Sequence, residues 1–154
     1  MKLTTKGRYA VQAMADIAAY GGGTPAPLTD ISLRQGISVG YLEQLFAKLR
    51  RAGLVESARG AAGGYELGRR ARDIRVAEIV DAVDEEIRTT ACTPGSGKSC
   101  QGTSARCLTH DLWDELGRQI DIFLNALTLE DVVERRVLGT AAVNPPQRSH
   151  NEAA

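Results

Sequence analysis

Apolar residues recur at three- and four-residue steps through most of the chain. Tyr9, Ala10, Ala13, Met14, Ile17 and Ala18 form the first such stripe and predict a helix. Thr5 is suited to cap its start, and Gly21-Gly22-Gly23 ends it. Thr24-Pro25-Ala26-Pro27 reads as a stiff connector. Leu28-Thr29-Asp30-Ile31-Ser32-Leu33-Arg34-Gln35 then predicts a short helix stopped by Gly36. Ile37 and Ser38 make a tight corner, with Ser38 placed to cap the next helix. Tyr41, Leu42, Leu45, Phe46 and Leu49 mark that helix as far as about Ala52, before Gly53.

The period then changes. Residues 54–57 and 65–67 read as two short strands joined by a glycine-rich, cationic hairpin tip. Ile74, Val76, Ile79, Val80 and Val83 return to helical spacing and run into Asp84-Glu85-Glu86. Residues 89–106 have no period. Leu108, Leu112, Leu116, Ile120, Phe123, Leu124 and Leu127 then define a long amphipathic helix, and Leu129, Val132, Val133 and Val137 extend the helical pattern. From Gly139 the chain is polar and carries Pro145-Pro146, which reads as a disordered tail. The fold class is therefore mainly α. Two helices, a glycine-marked corner and a β-hairpin make a winged helix-turn-helix.

Charge changes the picture. The 154 residues have zero formal net charge. Residues 1–75 nevertheless hold twelve Lys/Arg against six Asp/Glu, leaving seven against thirteen in the remainder. A basic half beside an acidic half points to a polyanion-binding module joined to something else. No apolar run reaches membrane-spanning length, and the first residues lack the apolar core of a secretory signal, so a cytoplasmic protein without a membrane partner is expected.

In a winged helix the second helix enters the major groove with its first turns against base edges. Ser38, Tyr41, Glu43 and Gln44 occupy those turns. Glu43 can accept from the exocyclic amine of cytosine, and Gln44 can pair with adenine. Lys48, Arg50 and Arg51 come later and suit phosphates or nearby acids. Arg59 at the hairpin tip can enter a narrow minor groove. Each has an ordinary structural alternative: Tyr41 as packing between helices, the others as solvated surface. The glycine-rich stretch 60–64 lacks both the Lys-Ser/Thr ending of a P-loop and the three-glycine dinucleotide pattern, so a nucleotide site is rejected.

All three cysteines, Cys92, Cys100 and Cys107, lie with His110 inside nineteen residues. Cys107 and His110 are three apart and share a helix face. Three thiolates and an imidazole suit zinc or an iron–sulfur cluster. The gaps between the cysteines are wider than the close pairs usual for structural zinc, and the surrounding glycines can offer backbone N–H groups to cluster sulfurs. Three thiolate charges against the two positive charges of an oxidised [2Fe–2S] core leave a low residual charge. An odd number of cysteines in a cytosolic chain argues against structural disulfides. A thiol redox enzyme is the weakest reading, because no Cys-x-x-Cys lies on a βαβ pattern and no acid/base set is present.

Several runs resemble the IscR family, the winged helix-turn-helix regulators of iron–sulfur cluster assembly. They are residues 1–11, Asp30-Ile31, residues 34–38, Tyr41-Leu42-Glu43-Gln44-Leu45-Phe46, Gly63-Gly64-Tyr65 and, most specifically, Cys107-Leu108-Thr109-His110. The resemblance implies a non-enzymatic regulator of double-stranded promoter operators. It implies a homodimer joined through the long helix, and a [2Fe–2S] cluster on Cys92, Cys100, Cys107 and His110, received from cluster-assembly proteins. It implies repression of the assembly genes with cluster bound, and use of a second promoter class without it. Glu43 matches the family's discriminating position, Gln44 a base-reading position and Arg59 a wing position. The expected organisation is a winged helix-turn-helix over 1–75 (helix-turn-helix about 28–51, wing about 54–67), a cluster loop (about 88–107) with dimerisation helices over 76–137, and a tail over 138–154. The alternatives are a zinc-stabilised regulator and a nitric-oxide sensor of similar fold.

Overall fold

The computed structural model describes residues 4–61, 63–85, 87–90 and 107–137. The tail and most of the cysteine segment lie outside them. Six helices and a two-stranded hairpin follow in the order α1 (Thr5–Tyr20), α2 (Leu28–Gln35), α3 (Val39–Arg51), β1 (Val55–Ala58), β2 (Gly64–Leu67), α4 (Val76–Ala82), α5 (His110–Ala126) and α6 (Leu129–Val133). A short 3-10 turn, Ala71–Asp73, precedes α4.

The cap of α1 is Thr4, one residue before the expected Thr5, and its side chain accepts from the Lys6 amide. Ser38 caps α3 as expected, accepting from the Tyr41 amide at 3.3 Å. Gly36 ends α2 at φ 69°, a left-handed position that glycine takes without a Cβ clash. The helical pattern after α5 does not continue that helix. Leu127 is extended, and Thr128 restarts the chain with a capping box shared with Asp131.

The apolar stripes converge on one core. Met14, Ile31, Leu42, Phe46, Leu49, Leu54, Ile74, Ile79, Val83 and Leu129 are all buried in it. It therefore draws on α1 to α3, the hairpin base, α4 and α6 together. The ring of Phe46 packs on Tyr65 of β2 at 4.8 Å between centroids, which seats the wing on α3. The connector is more than a spacer: Ala26 pairs with Tyr65, each amide donating to the other's carbonyl at 2.8 Å. That close approach explains Gly64, where a Cβ would sit 2.4 Å from the Ala26 backbone. The residue belongs to the sheet, not to a flexible tip.

A polar network around Asp16 lies inside the core. The Asp16 side chain is fully buried and accepts two bonds from Arg34 (Nε at 2.9 Å, Nη2 at 2.6 Å) and one from Gln35 Nε2 at 2.7 Å. Arg34 also lies 5.2 Å above the Tyr20 ring. The bidentate pair fixes α2 against α1 and so sets the platform from which α3 projects.

Candidate nucleic-acid interface and metal segment

The two ends of α3 differ in character. At its start Ser38, Glu43 and Gln44 are exposed, on the side away from Leu42, Leu45 and Phe46. Three residues of different chemistry are thus brought to one outward edge: a hydroxyl, a carboxylate and an amide. The Ser38 hydroxyl also serves as the helix cap, so part of its hydrogen-bonding capacity is spent inside the protein. Tyr41 is half-buried and meets Tyr9 of α1 edge-on, with centroids 5.9 Å apart. It packs two helices together, the structural alternative that its sequence position left open.

At the other end, Lys48 Nζ donates to Asp84 Oδ2 at 2.6 Å, and Arg50 Nη1 reaches Ser57 Oγ of the wing at 3.4 Å. Of the acid and phosphate roles open to Lys48, the structure displays the acid. The Asp84 carboxyl is held below its ordinary value, first by the hydrogen bond from Lys48 and then by that residue's charge. Arg51 is exposed. Arg59 stands exposed in the turn between β1 and β2, whose strands pair from Val55–Leu67 to Ala58–Gly64. The wing and the start of α3 hence present separate exposed polar groups from one packed unit.

Of the four expected metal ligands, Cys92 and Cys100 lie outside the described residues. Cys107 and His110 sit at the head of α5, where the His110 amide donates to the Cys107 carbonyl at 3.1 Å. Both are half-buried. Cys107 therefore lies just before α5 rather than sharing a helix face with His110, and one hydrogen-bonded turn of backbone links the two residues. Among the described residues no group of three or more His, Cys, Asp and Glu side chains is placed to hold a metal.

Sequence reasoning missed Asp84 and Glu85 as contact residues, reading them only as an acidic helix end. Glu85 is 7% exposed and accepts three hydrogen bonds from the start of α1. Asp16 had a visible signal, a lone acid interrupting an apolar run. Glu85 had none, since its partners lie about eighty residues away.

The profile of the Rrf2 family, described as iron-dependent transcriptional regulators, matches residues 3–135. This chain belongs to the Rrf2 family. Its relatives include the HTH-type transcriptional regulator IscR of Vibrio atlanticus, 55% identical over 135 residues that span 87% of this chain and 76% of that protein. The IscR of Cronobacter sakazakii is 49% identical over 153 residues, 99% of this chain and 90% of the relative. Among solved structures, that of T. potens IscR superposes with a TM-score of 0.71 at 36% identity, covering 95% of this chain and 93% of that one. CymR, named as the global cysteine regulator of B. subtilis, superposes at 0.74 with 32% identity over 88% of this chain and 98% of its own. The winged-helix fold of these Rrf2 structures is the fold seen here. The protein is a DNA-binding transcription regulator and not an enzyme. No helix among the described residues is long and apolar enough to cross a membrane.

Proposed function

We propose that this Rrf2 regulator senses a [2Fe–2S] cluster held by Cys92, Cys100, Cys107 and His110, and represses cluster-assembly genes while the cluster is bound. The observation that carries the reading is the placement of Cys107 and His110 within one turn at the head of α5, directly after the segment that holds the other two cysteines. The donor set fits the group: three thiolates against the two positive charges of the oxidised core leave a low residual charge, and one neutral imidazole completes four ligands. When bound, the cluster supplies a dissociable metal centre whose presence reports the cell's cluster supply.

The remaining roles fall to the chain itself. Residues 1–75 read DNA, with Gln44 against an adenine edge, Glu43 disfavouring one operator class in the cluster-free form, Ser38 at the groove edge and Arg59 in the minor groove, while Tyr41 braces α3 against Tyr9 of α1. Residues 76–137 carry the metal segment and join two copies through α5. Its apolar side chains Leu112 and Ile122 stay 61% and 55% exposed within one chain, as a subunit interface requires. The dimer works in the cytoplasm and receives its cluster from assembly proteins. Loss of the cluster releases the assembly genes and leaves a protein that still binds a second promoter class.

The test is anaerobic purification of wild type and Cys107→Ser, with an absorbance spectrum and iron, sulfide and zinc analysis. Two irons and two sulfides per chain in wild type, lost in the variant, are expected. Stoichiometric zinc without sulfide would favour the zinc-stabilised alternative and end the cluster reading.

A further inference from the structure

Residues 84 and 85 lie between α4 and the cysteine-bearing segment, and their side chains reach two different helices. Glu85 Oε1 accepts from the Thr4 amide at 2.8 Å. Oε2 accepts from the Gly7 amide at 2.9 Å and from the Thr4 hydroxyl. The first amides of a helix have no partner within it, and a carboxylate there is also favoured by the helix dipole. Glu85 is therefore a buried cap for α1 supplied from the far side of the sequence. Asp84 turns the other way and holds Lys48, in the last turn of α3, at 2.6 Å. Between these two contacts the backbone of Asp84 takes φ 54°, a left-handed conformation uncommon outside glycine. Strained positions of this kind persist where surrounding contacts enforce them, and they concentrate at switch regions.

The chain leaving this hinge is pinned twice. Ile87 packs against the cluster formed by Val76, Val80 and Leu127. Thr89 then crosses α5 at Gly117, so closely that a Cβ there would lie 2.6 Å from Thr89 Oγ1. Cys92 follows three residues later. The described residues between Glu85 and the cysteine-bearing segment are thus anchored against α4 and α5.

We propose that Asp84 and Glu85 are positioning residues that transmit the state of the metal-binding segment to the DNA-reading helix, Glu85 through the start of α1 and Asp84 through Lys48 of α3. The proposal rests on the reading of that segment as the metal sensor. Coupling of this sort moves one site's affinity by about 5- to 150-fold when the other is occupied.

The test compares wild type, Asp84→Asn and Glu85→Gln as full chains, each metal-free, cluster-reconstituted and zinc-loaded, titrated against one promoter duplex. Iron and sulfide contents give loading, thermal unfolding gives fold integrity, and the readout is the ratio of loaded to metal-free affinity. A purely structural role would move the unfolding midpoint and leave that ratio alone. The expected result is wild-type loading in both variants with the ratio falling at least about fivefold toward one. An unchanged ratio in loaded variants overturns the hinge and leaves the cluster reading intact. If wild type takes up zinc but no sulfide, the cluster reading fails, and the hinge is judged on the same ratio with zinc. A wild-type ratio of one with either metal overturns both.

Discussion

Helices α3 and α5 are both amphipathic, yet they end up in opposite situations. Four residues of α3 (Leu42, Leu45, Phe46 and Leu49) are buried by neighbours from the same chain, and its outward edge is polar. In α5, which is longer, no residue is fully buried, and Leu112, Trp113 and Ile122 remain exposed. An apolar stripe that the chain itself covers belongs to a finished folding unit. A stripe left open on a long helix among the described residues is what the proposed dimer would cover. The first region can be read from its own contacts; the second is where the proposed second copy would dock.

The largest expected effect lies on the covered side. Phe46→Ala removes a fully buried ring that also seats Tyr65 of the wing, and should cost about 3–5 kcal/mol in urea unfolding. A loss within experimental error of an exposed-site substitution would mean that α3 is not held by this core. On the open side, Ile122→Asp should change association rather than fold. Sedimentation should show the dimer giving way to monomer with secondary structure retained. A variant that sediments as wild type would close the comparison, making the α5 face ordinary surface.

A smaller effect concerns acid. Burial alone would raise the Glu85 carboxyl, but the hydrogen bonds from Thr4 and Gly7 outweigh it and hold the group below its ordinary value of 4.5. A depressed folded value means that the contribution is whole above the unfolded value and disappears as pH falls through the folded one. Glu85→Gln should therefore flatten the decline in stability below pH 4.5, while leaving the part due to Glu78, Asp84 and Asp131, whose carboxyls are also depressed. Parallel pH profiles for variant and wild type would remove Glu85 from the acid response. The smallest effect is at the wing. Arg59→Ala should weaken operator binding and lower the salt slope by about 0.9. An unaltered slope would take Arg59 off the phosphate or minor-groove surface.

The same contrast explains what was legible in the sequence. Local signals located α1 to α3 and the hairpin closely, because caps, glycine stops and periods of 3.6 and 2 act over a few residues. Ser38 as a cap and Gly36 as a stop are such cases. The break between α5 and α6 was hidden, since Leu129, Val132 and Val133 keep helical spacing while the Thr128–Asp131 capping box interrupts the helix. The pairing of Ala26 with Tyr65 and the Glu85 cap were also hidden, because each joins segments distant along the chain. Of the four expected ligands, Cys107 and His110 fall among the described residues; their spacing put them close along the chain but did not reveal that α5 starts only at His110, which leaves Cys107 outside the helix. The division of labour on α3 was open in the sequence, which allowed Tyr41 either packing or base contact: Tyr41 packs on Tyr9, while Glu43 and Gln44 face outward.

The proposed sensor works only if the metal segment governs what the DNA-reading unit binds, and that dependence is open to measurement. It is tested most directly by titrating a cluster-assembly promoter duplex with cluster-loaded and metal-free protein under anaerobic conditions at one fixed salt concentration. Tighter binding by the loaded form, by at least about fivefold, is the expected result. Equal affinities for a preparation shown to carry iron and sulfide would contradict it.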